Sequence, residues 1–267
     1  MFIDSHCHLD RLDLAPYAQD FDRFVRETHA EQISHMLCVS IDLAHYGAMR
    51  RLVDGYDGIS VSVGVHPNAD TETPGLMETL VRLAEDAKVV AIGETGLDYY
   101  RSEGDSAWQQ ERFYAHIAAA KRAGKPLIIH TRQAREDTLR ILAAEDAGMV
   151  GGVFHCFTED WDTAKRALDL GFYISFSGIV TFNNAAQVRE AARQVPAEHL
   201  LIETDAPYLA PVPFRGKANY PHHVVHVAQA IASLRGVHLQ EVAETSSQNY
   251  WRLFGEKKVF NSSQPVL

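Results

Sequence analysis

The sequence predicts one (β/α)8 TIM barrel with one extra C-terminal helix, and three observations carry that expectation. Eight short apolar, β-branched runs recur along the chain, and helix-patterned segments separate them. Strand–helix alternation of this kind predicts a parallel sheet with crossover helices, and eight units is the closure number of the barrel. No glycine-rich phosphate turn follows the first run, as an open doubly wound sheet would want; the turn there reads HCHLDRLD. At 267 residues the chain has the usual length of a single barrel, assigned to residues 1–255 with a tail over 256–267.

In chain order the strand candidates are MFIDSH, HMLCVS, ISVSVGV, VVAIGE, PLIIH, GGVFH, YISFSG and LLIETD. Runs of about four to eight residues favour strand over helix where periodicity is ambiguous. The segment from Asp105 to Ala123 has an acidic start, good helix formers and Gly124 just past its end. Asp160 to Leu170 repeats that signature with Gly171 as its stop, and Pro221 to Arg235 supplies the segment after the eighth strand. Leu239 to Leu253 reads as the extra helix, and EKKVFNSSQPVL as a frayed tail.

Composition narrows the function classes. The 46% hydrophobic and 22% charged content is that of an ordinary globular chain. Cys7, Cys38 and Cys156 are odd in number with no C-x-x-C spacing, which suits free thiols in a reducing compartment. Cys7 lies between His6 and His8, so it is expected to face away from whatever they face. The opening residues lack a basic n-region and carry Asp4 in their apolar run, unlike a signal peptide. The weakly polar run LGFYISFSGIVTF is short of the roughly 18 residues of a membrane span, so a cytoplasmic protein with no membrane association is expected. A net charge of -10 argues against a broad basic surface for duplex nucleic acid. A small positive site remains compatible with it, because surface charges are screened over about 8 Å.

The strand ends carry the chemistry. In a barrel the active-site face is built at the C-terminal ends of the strands. Those positions hold His6 and His8 on the first run, His66 after the third, Glu94 on the fourth, His130 on the fifth, His155 on the sixth, and Glu203 and Asp205 on the eighth. Alternate residues of a strand point the same way with Cα atoms about 6.6 Å apart, so His6 and His8 can converge on one ion. A lone histidine is more often a buried, carbonyl-bonded side chain, and a lone carboxylate a helix cap. Ligand-type residues on so many strand ends outweigh that explanation. Imidazoles and carboxylates without thiolates suit Zn²⁺, Mn²⁺, Fe²⁺ or Mg²⁺. Six ligands exceed the three of a simple catalytic zinc and point to two ions about 3.5–4 Å apart with a bridging carboxylate.

The motifs MFIDSHCHLD, GVHP, IGETGLDYYR, PLIIHTR, HCF, ETDAPYL and PFRGKAN run from residue 1 to about residue 254. Together with H-x-H on strand one and the acidic and histidine positions after it, they resemble amidohydrolase-type metal barrels. More closely, they resemble the TatD deoxyribonuclease family and its YcfH-like branch. The resemblance implies a metal-dependent phosphodiester hydrolase, a deoxyribonuclease acting in the manner of a 3'-5' exonuclease on single-stranded DNA ends. It implies two divalent ions (Mg, Mn or Zn) held by His6, His8, Glu94, His130, His155 and Asp205. Two departures from the family pattern fall in substrate-facing loops. HCFTED lacks the Ser/Thr-Gly that often follows HCF, and Tyr220 stands where an acidic residue commonly follows the Asn of RGK-x-N.

The expected division of labour has Glu94 bridging the ions, His6, His8 and Asp205 on one, and His130 and His155 on the other. Asp205 and Glu94 are the catalytic carboxylates, with Asp205 the general base. Glu203 is expected on the same strand face as Asp205, orienting a ligand rather than serving as one. His66, Arg132 and Arg215 are candidates for phosphate oxygens. Tyr99, Tyr100 and Phe214 are as suited to lid packing as to base stacking. Rival readings are a metal-dependent amidohydrolase acting on a small amide or lactone, and a non-catalytic metal-binding scaffold. No obligate protein partner is evident from the sequence.

Overall fold

β-branched and aromatic residues in short buried runs form the strands: β1 (Phe2–Cys7), β2 (Ile33–Cys38), β3 (Ile59–Val63), β4 (Val89–Asp98), β5 (Leu127–Arg132), β6 (Gly152–Phe154), β7 (Phe172–Phe176) and β8 (Leu200–Ile202). The computed structural model describes residues 1–69, 74–102 and 106–255. The expected tail over 256–267 and the acidic start at Asp105 lie outside the described residues. Neighbouring strands pair in parallel in sequence order from β1 to β8. The ring closes where Cys7 bridges Ala206: the His8 amide donates to the Ala206 carbonyl at 2.7 Å and the Asp205 amide to the His6 carbonyl at 2.9 Å. Two candidate ligand loops, one at each end of the chain, are thereby sewn together.

The helices are α1 (Phe21–Ala30), α2 (Leu43–Leu52), α3 (Leu76–Leu83), α4 (Ala107–Ala123), α5 (Arg135–Ala144), α6 (Trp161–Asp169), α7 (Ala186–Gln194), α8 (Val224–Arg235) and α9 (Leu239–Phe254). Asp20, Asp42 and Asp160 cap α1, α2 and α6 by accepting backbone N–H bonds. Gly124 ends α4 in the left-handed region at φ 64°, which spares an L side chain the steric cost of that turn. The segment from Pro221 opens as a 3-10 turn over Pro221–His223 before α8 begins. α9 is the extra helix. Its Tyr250 and Phe254 join Ile3, Leu37, Ala91, Ile128, Val153 and Leu201, drawn from six strands, in one buried cluster. Asn249 donates to the Ala197 and Leu200 carbonyls at the start of β8. α9 therefore closes the end of the barrel opposite the strand C-termini.

Two strand bounds differ from the sequence expectation in ways that matter for the site. β4 runs on through GETGLD to Asp98, with Gly96 paired to His130 and Asp98 to Arg132. Glycines 93 and 96 look like turn residues, yet a Cβ on Gly96 would lie 2.0 Å from the His130 carbonyl oxygen, so close strand approach is what requires glycine there. β8 stops at Ile202, and Asp205 takes a left-handed backbone at φ 58°. Glu203 and Asp205 therefore do not share an extended strand face as expected; a turn separates their directions. Among the described residues, no helix is long and apolar enough to cross a membrane.

Candidate metal centre

Glu94 sits at the middle of the site, buried to 3% exposure, and its two oxygens face different partners. Oε2 lies 3.5 Å from His6 Nε2 and 4.0 Å from His8 Nε2. Oε1 lies 2.8 Å from His155 Nε2, 2.9 Å from His130 Nδ1 and 3.3 Å from His66 Nε2. Asp205 Oδ1 joins the first set, 3.4 Å from His8 Nε2 and 3.7 Å from His6 Nε2. All six residues expected to converge do so, on one face of the barrel, from β1 and the residue just after it, from β4 and β5, and from the loops that follow β6 and β8. Groups of donor atoms within 4.8 Å of one another are His6–His8–Asp205, His66–Glu94–His130 and His6–His155–Glu203.

The neighbours of each ring decide which nitrogen is free. His8 Nδ1 meets the Val39 carbonyl at 2.9 Å, which places the proton there and leaves the Nε2 lone pair toward Asp205. His130 turns Nε2 to Asp98 Oδ2 at 3.4 Å, leaving Nδ1 for the centre. His155 turns Nδ1 to Glu203 Oε1 at 3.4 Å, while that same oxygen accepts the Cys156 amide at 2.7 Å. His66 differs: its Nδ1 accepts the Asn68 amide at 3.0 Å, so the neutral ring carries its proton on Nε2. His66 therefore presents a donor to the centre rather than a lone pair.

Asp98 was not singled out from the sequence, although the motif GETGLD contains it. It accepts Asn68 Nδ2 at 2.7 Å and the amides of Tyr100 and Arg101, and so holds His130 in place. Its sequence signal is the period of two along β4, Glu94–Gly96–Asp98, which puts the three residues on one face of the strand. Asp4 is the second such residue. Fully buried, it accepts the Thr204 amide at 2.9 Å and the Thr204 hydroxyl at 2.5 Å, fixing the approach to Asp205 from β1. Cys7, as expected, turns away; its thiol donates to the Leu37 carbonyl in the core.

Electrostatics show what the cluster wants. Burial pushes the Glu94 carboxyl up, but the imidazoles of His155, His66 and His130 outweigh it and hold Glu94 well below the usual carboxylate range. Burial raises Asp205 too, and His8 and His6 more than offset it. His155 goes well above the ordinary imidazole value because Glu94 and Glu203 overcome its burial. Burial lowers His8 and His130, but Asp205 raises the first and Asp98 with Glu94 the second. His6 and His66 go down, chiefly through burial. Asp98 is pulled to about 2, burial being outweighed by His130 and Asn68, whereas burial pushes Asp4 up to about 8.

Cationic charge is what these carboxylates draw in. Both nitrogens of His6 and Oε2 of Glu203 are buried without a hydrogen-bond partner among the described residues. His6 and His155 stack at 4.0 Å between ring centroids, where two imidazolium charges would repel. Buried polar atoms ordinarily find partners, and a divalent cation supplies one to several at once. The donor set fits metal.

A cavity of about 750 Å³ opens above the cluster, with His66, Arg101, Arg132, Ile179 and Tyr208 in its walls. Arg132 lies over the Tyr100 ring at 3.8 Å and makes no ion pair among the described residues. Arg215 lies over the Phe182 ring at 4.3 Å, beyond the residues that line the cavity. The Tyr99 hydroxyl donates to Asp137 and Phe214 stacks on His223 at 4.1 Å, so both are engaged in packing.

Comparison with known proteins agrees with this architecture. Residues 3–255 match the family model described as TatD related DNase. The chain is 51% identical over 252 residues to the uncharacterized metal-dependent hydrolase YcfH of Escherichia coli (strain K12), covering 94% of this chain and 95% of that one. It is 32% identical over 250 residues to the 3'-5' ssDNA/RNA exonuclease TatD of Klebsiella pneumoniae (strain 342), covering 91% and 95%. Among solved structures it resembles YJJV, a TatD homolog from Escherichia coli K12, at TM-score 0.87 and 28% identity, covering 95% of this chain and 97% of that one.

Proposed function

The chain belongs to the TatD related DNase family and is a metal-dependent hydrolase, and from that premise we propose that it hydrolyses phosphodiester bonds at the 3' ends of single-stranded DNA. The observation that carries the reading is the division of Glu94, one oxygen to His6 and His8, the other to His130 and His155. A carboxylate so shared suits a bridge between two divalent ions. In this reading His6, His8 and Asp205 would hold one ion and His130 and His155 the other. Ions held there would supply Lewis acidity toward phosphoryl oxygens and would make water a stronger acid.

The chain's own residues do the rest. Asp205, ionised at neutral pH, accepts the proton of the attacking water, a role that needs only hydrogen-bond reach. Asp98 keeps the His130 ring oriented, and Glu203 does the same for His155. The His66 Nε2–H donates to a non-bridging phosphate oxygen, as its tautomer requires. Arg132, stacked on Tyr100 and without an ion-pair partner among the described residues, offers its planar fork to the next phosphate. Arg215 meets a phosphate further along the strand, outside the cavity. The relative named 3'-5' ssDNA/RNA exonuclease supports the substrate class and polarity.

The test is hydrolysis of 5'-labelled single-stranded DNA, duplex DNA and RNA, beside a panel of neutral amides and lactones, with and without chelator. The reading expects a metal-dependent ladder of mononucleotide losses from single-stranded DNA. Turnover of amides or lactones with no phosphodiester cleavage under Mg²⁺, Mn²⁺ or Zn²⁺ rejects it.

A further inference from the structure

The cavity above the metal centre has two unlike walls. On the β4–β5 side stand Arg101 and Arg132, and on the β7–β8 side stand Ile179, Tyr208 and Leu209. Tyr208 has a fixed main chain. Its amide donates to the Asp205 carbonyl at 2.9 Å, and its own carbonyl accepts Asn219 Nδ2 at 2.5 Å. The same Asn219 amide group holds the Thr204 carbonyl at 3.0 Å, so one fully buried side chain straps both ends of the Asp205 turn.

The Tyr208 ring, by contrast, is 49% exposed. It meets only the edge of His8, at 6.0 Å between centroids, among the ring contacts of the described residues. Such a ring gains little from folding, because apolar stabilisation scales with area removed from water. Core packing does not account for its position. It stands three residues from Asp205, at the lip of the cavity, flanked by two half-buried aliphatic side chains.

We infer that Ile179, Tyr208 and Leu209 form the subsite for the nucleobase of the terminal nucleotide, with Tyr208 as its stacking platform. The inference rests on the nucleic-acid reading of the site given above. Every base has a π face, so an aromatic platform holds an unpaired base with little regard to sequence. A base inside a duplex has its faces covered by neighbours and cannot use it. Opposite the platform, Arg101 and Arg132 face the phosphates. The two walls thus sort a nucleotide, base to one side and backbone to the other, with the scissile bond between them over Glu94. Within these three side chains the Tyr208 hydroxyl is the polar group, so the subsite favours nucleotides over bare sugar phosphates while discriminating weakly among the four bases.

Binding tests this independently of turnover. Dissociation constants for dAMP and for 2-deoxyribose 5-phosphate are measured by calorimetry on the metal-loaded protein and on its Tyr208→Ala and Tyr208→Phe variants. The parent protein is expected to prefer dAMP by about tenfold, the scale of one base–aromatic stack. Tyr208→Phe keeps that preference and Tyr208→Ala levels it. Equal affinity for the two ligands in the parent, or a preference that survives Tyr208→Ala, overturns the inference. Cleavage of single-stranded DNA, measured alongside, separates it from the reading it rests on. A base preference without cleavage leaves the subsite standing and removes the exonuclease, and cleavage without a base preference does the reverse.

Discussion

Glu94 is the side chain the site can least spare, because it answers to both sets of imidazoles at once. Glu94→Gln is expected to lower activity more than about 100-fold and to reduce bound metal, measured by elemental analysis of the purified variant, since even outer partners of metal ligands are worth 10–100-fold. Glu203→Ala, which frees His155 Nδ1 and the Cys156 amide, is expected to fall within that 10–100-fold range, with Glu203→Gln milder. The titrating groups add a pH signature. In the metal-free protein His8, His130 and His155 sit above the ordinary imidazole value. Their contribution to stability is complete below about 6.5 and is lost as pH rises through the raised values. Glu94 and Asp205 sit below the carboxylate range, so their contribution is present above about 4 and is lost as pH falls through the depressed values. Chelated protein is therefore expected to melt highest in mildly acidic solution and to lose Tm as pH rises past neutrality. Metal must displace those protons, so the Tm gap between loaded and chelated protein widens with pH. A gap that stays constant from about pH 5 to 8 would contradict histidine ligation. The six convergent residues were legible because strand ends are where a barrel collects its chemistry. Asp98 and Asp4 were not, since a carboxylate bonded to a neighbouring loop looks the same in sequence as a helix cap.

At the scale of elements, the site depends on how closely β4 and β5 approach. Gly96 at φ 136° has no room for a side chain, because its Cβ would meet the His130 carbonyl. Gly96→Ala is expected to destabilise the protein by roughly 3 kcal/mol or more, read from the denaturant midpoint, and to disturb metal binding through His130. Gly124→Ala is the control: it shares a left-handed backbone, at φ 64°, but meets nothing within 4 Å, so it should cost only about 1 kcal/mol. Equal losses for the two would contradict the close-approach explanation. Strand and helix order were readable from periodicity and caps, as α6 with Asp160 before it shows. The extension of β4 was not, because glycine marks a turn and a tight strand crossing alike. Nor was the left-handed turn at Asp205, which is set by bonds to His6 and Tyr208 rather than by local propensity.

The whole molecule carries a net charge of -10, yet its proposed substrate is a polyanion. The resolution is local. Arg101 and Arg132 face the cavity and neither makes an ion pair among the described residues, while charges on remote surfaces are screened within about 8 Å. Few phosphates can then be neutralised, so affinity for single strands should fall only shallowly with salt, and Arg132→Ala should reduce the log–log slope by about 0.7. A steep slope shared by the variant would place the grip elsewhere. The central claim, that these His and carboxylate side chains form a two-ion hydrolytic centre, is tested most directly by titrating Mn²⁺ into the chelated protein while counting mononucleotides released from single-stranded DNA. Release is expected to be absent without metal, to saturate as a second equivalent binds, and to be lost in Glu94→Gln at every metal concentration. Full release by the chelated protein, or none at any loading while two equivalents bind to a folded chain, would contradict it.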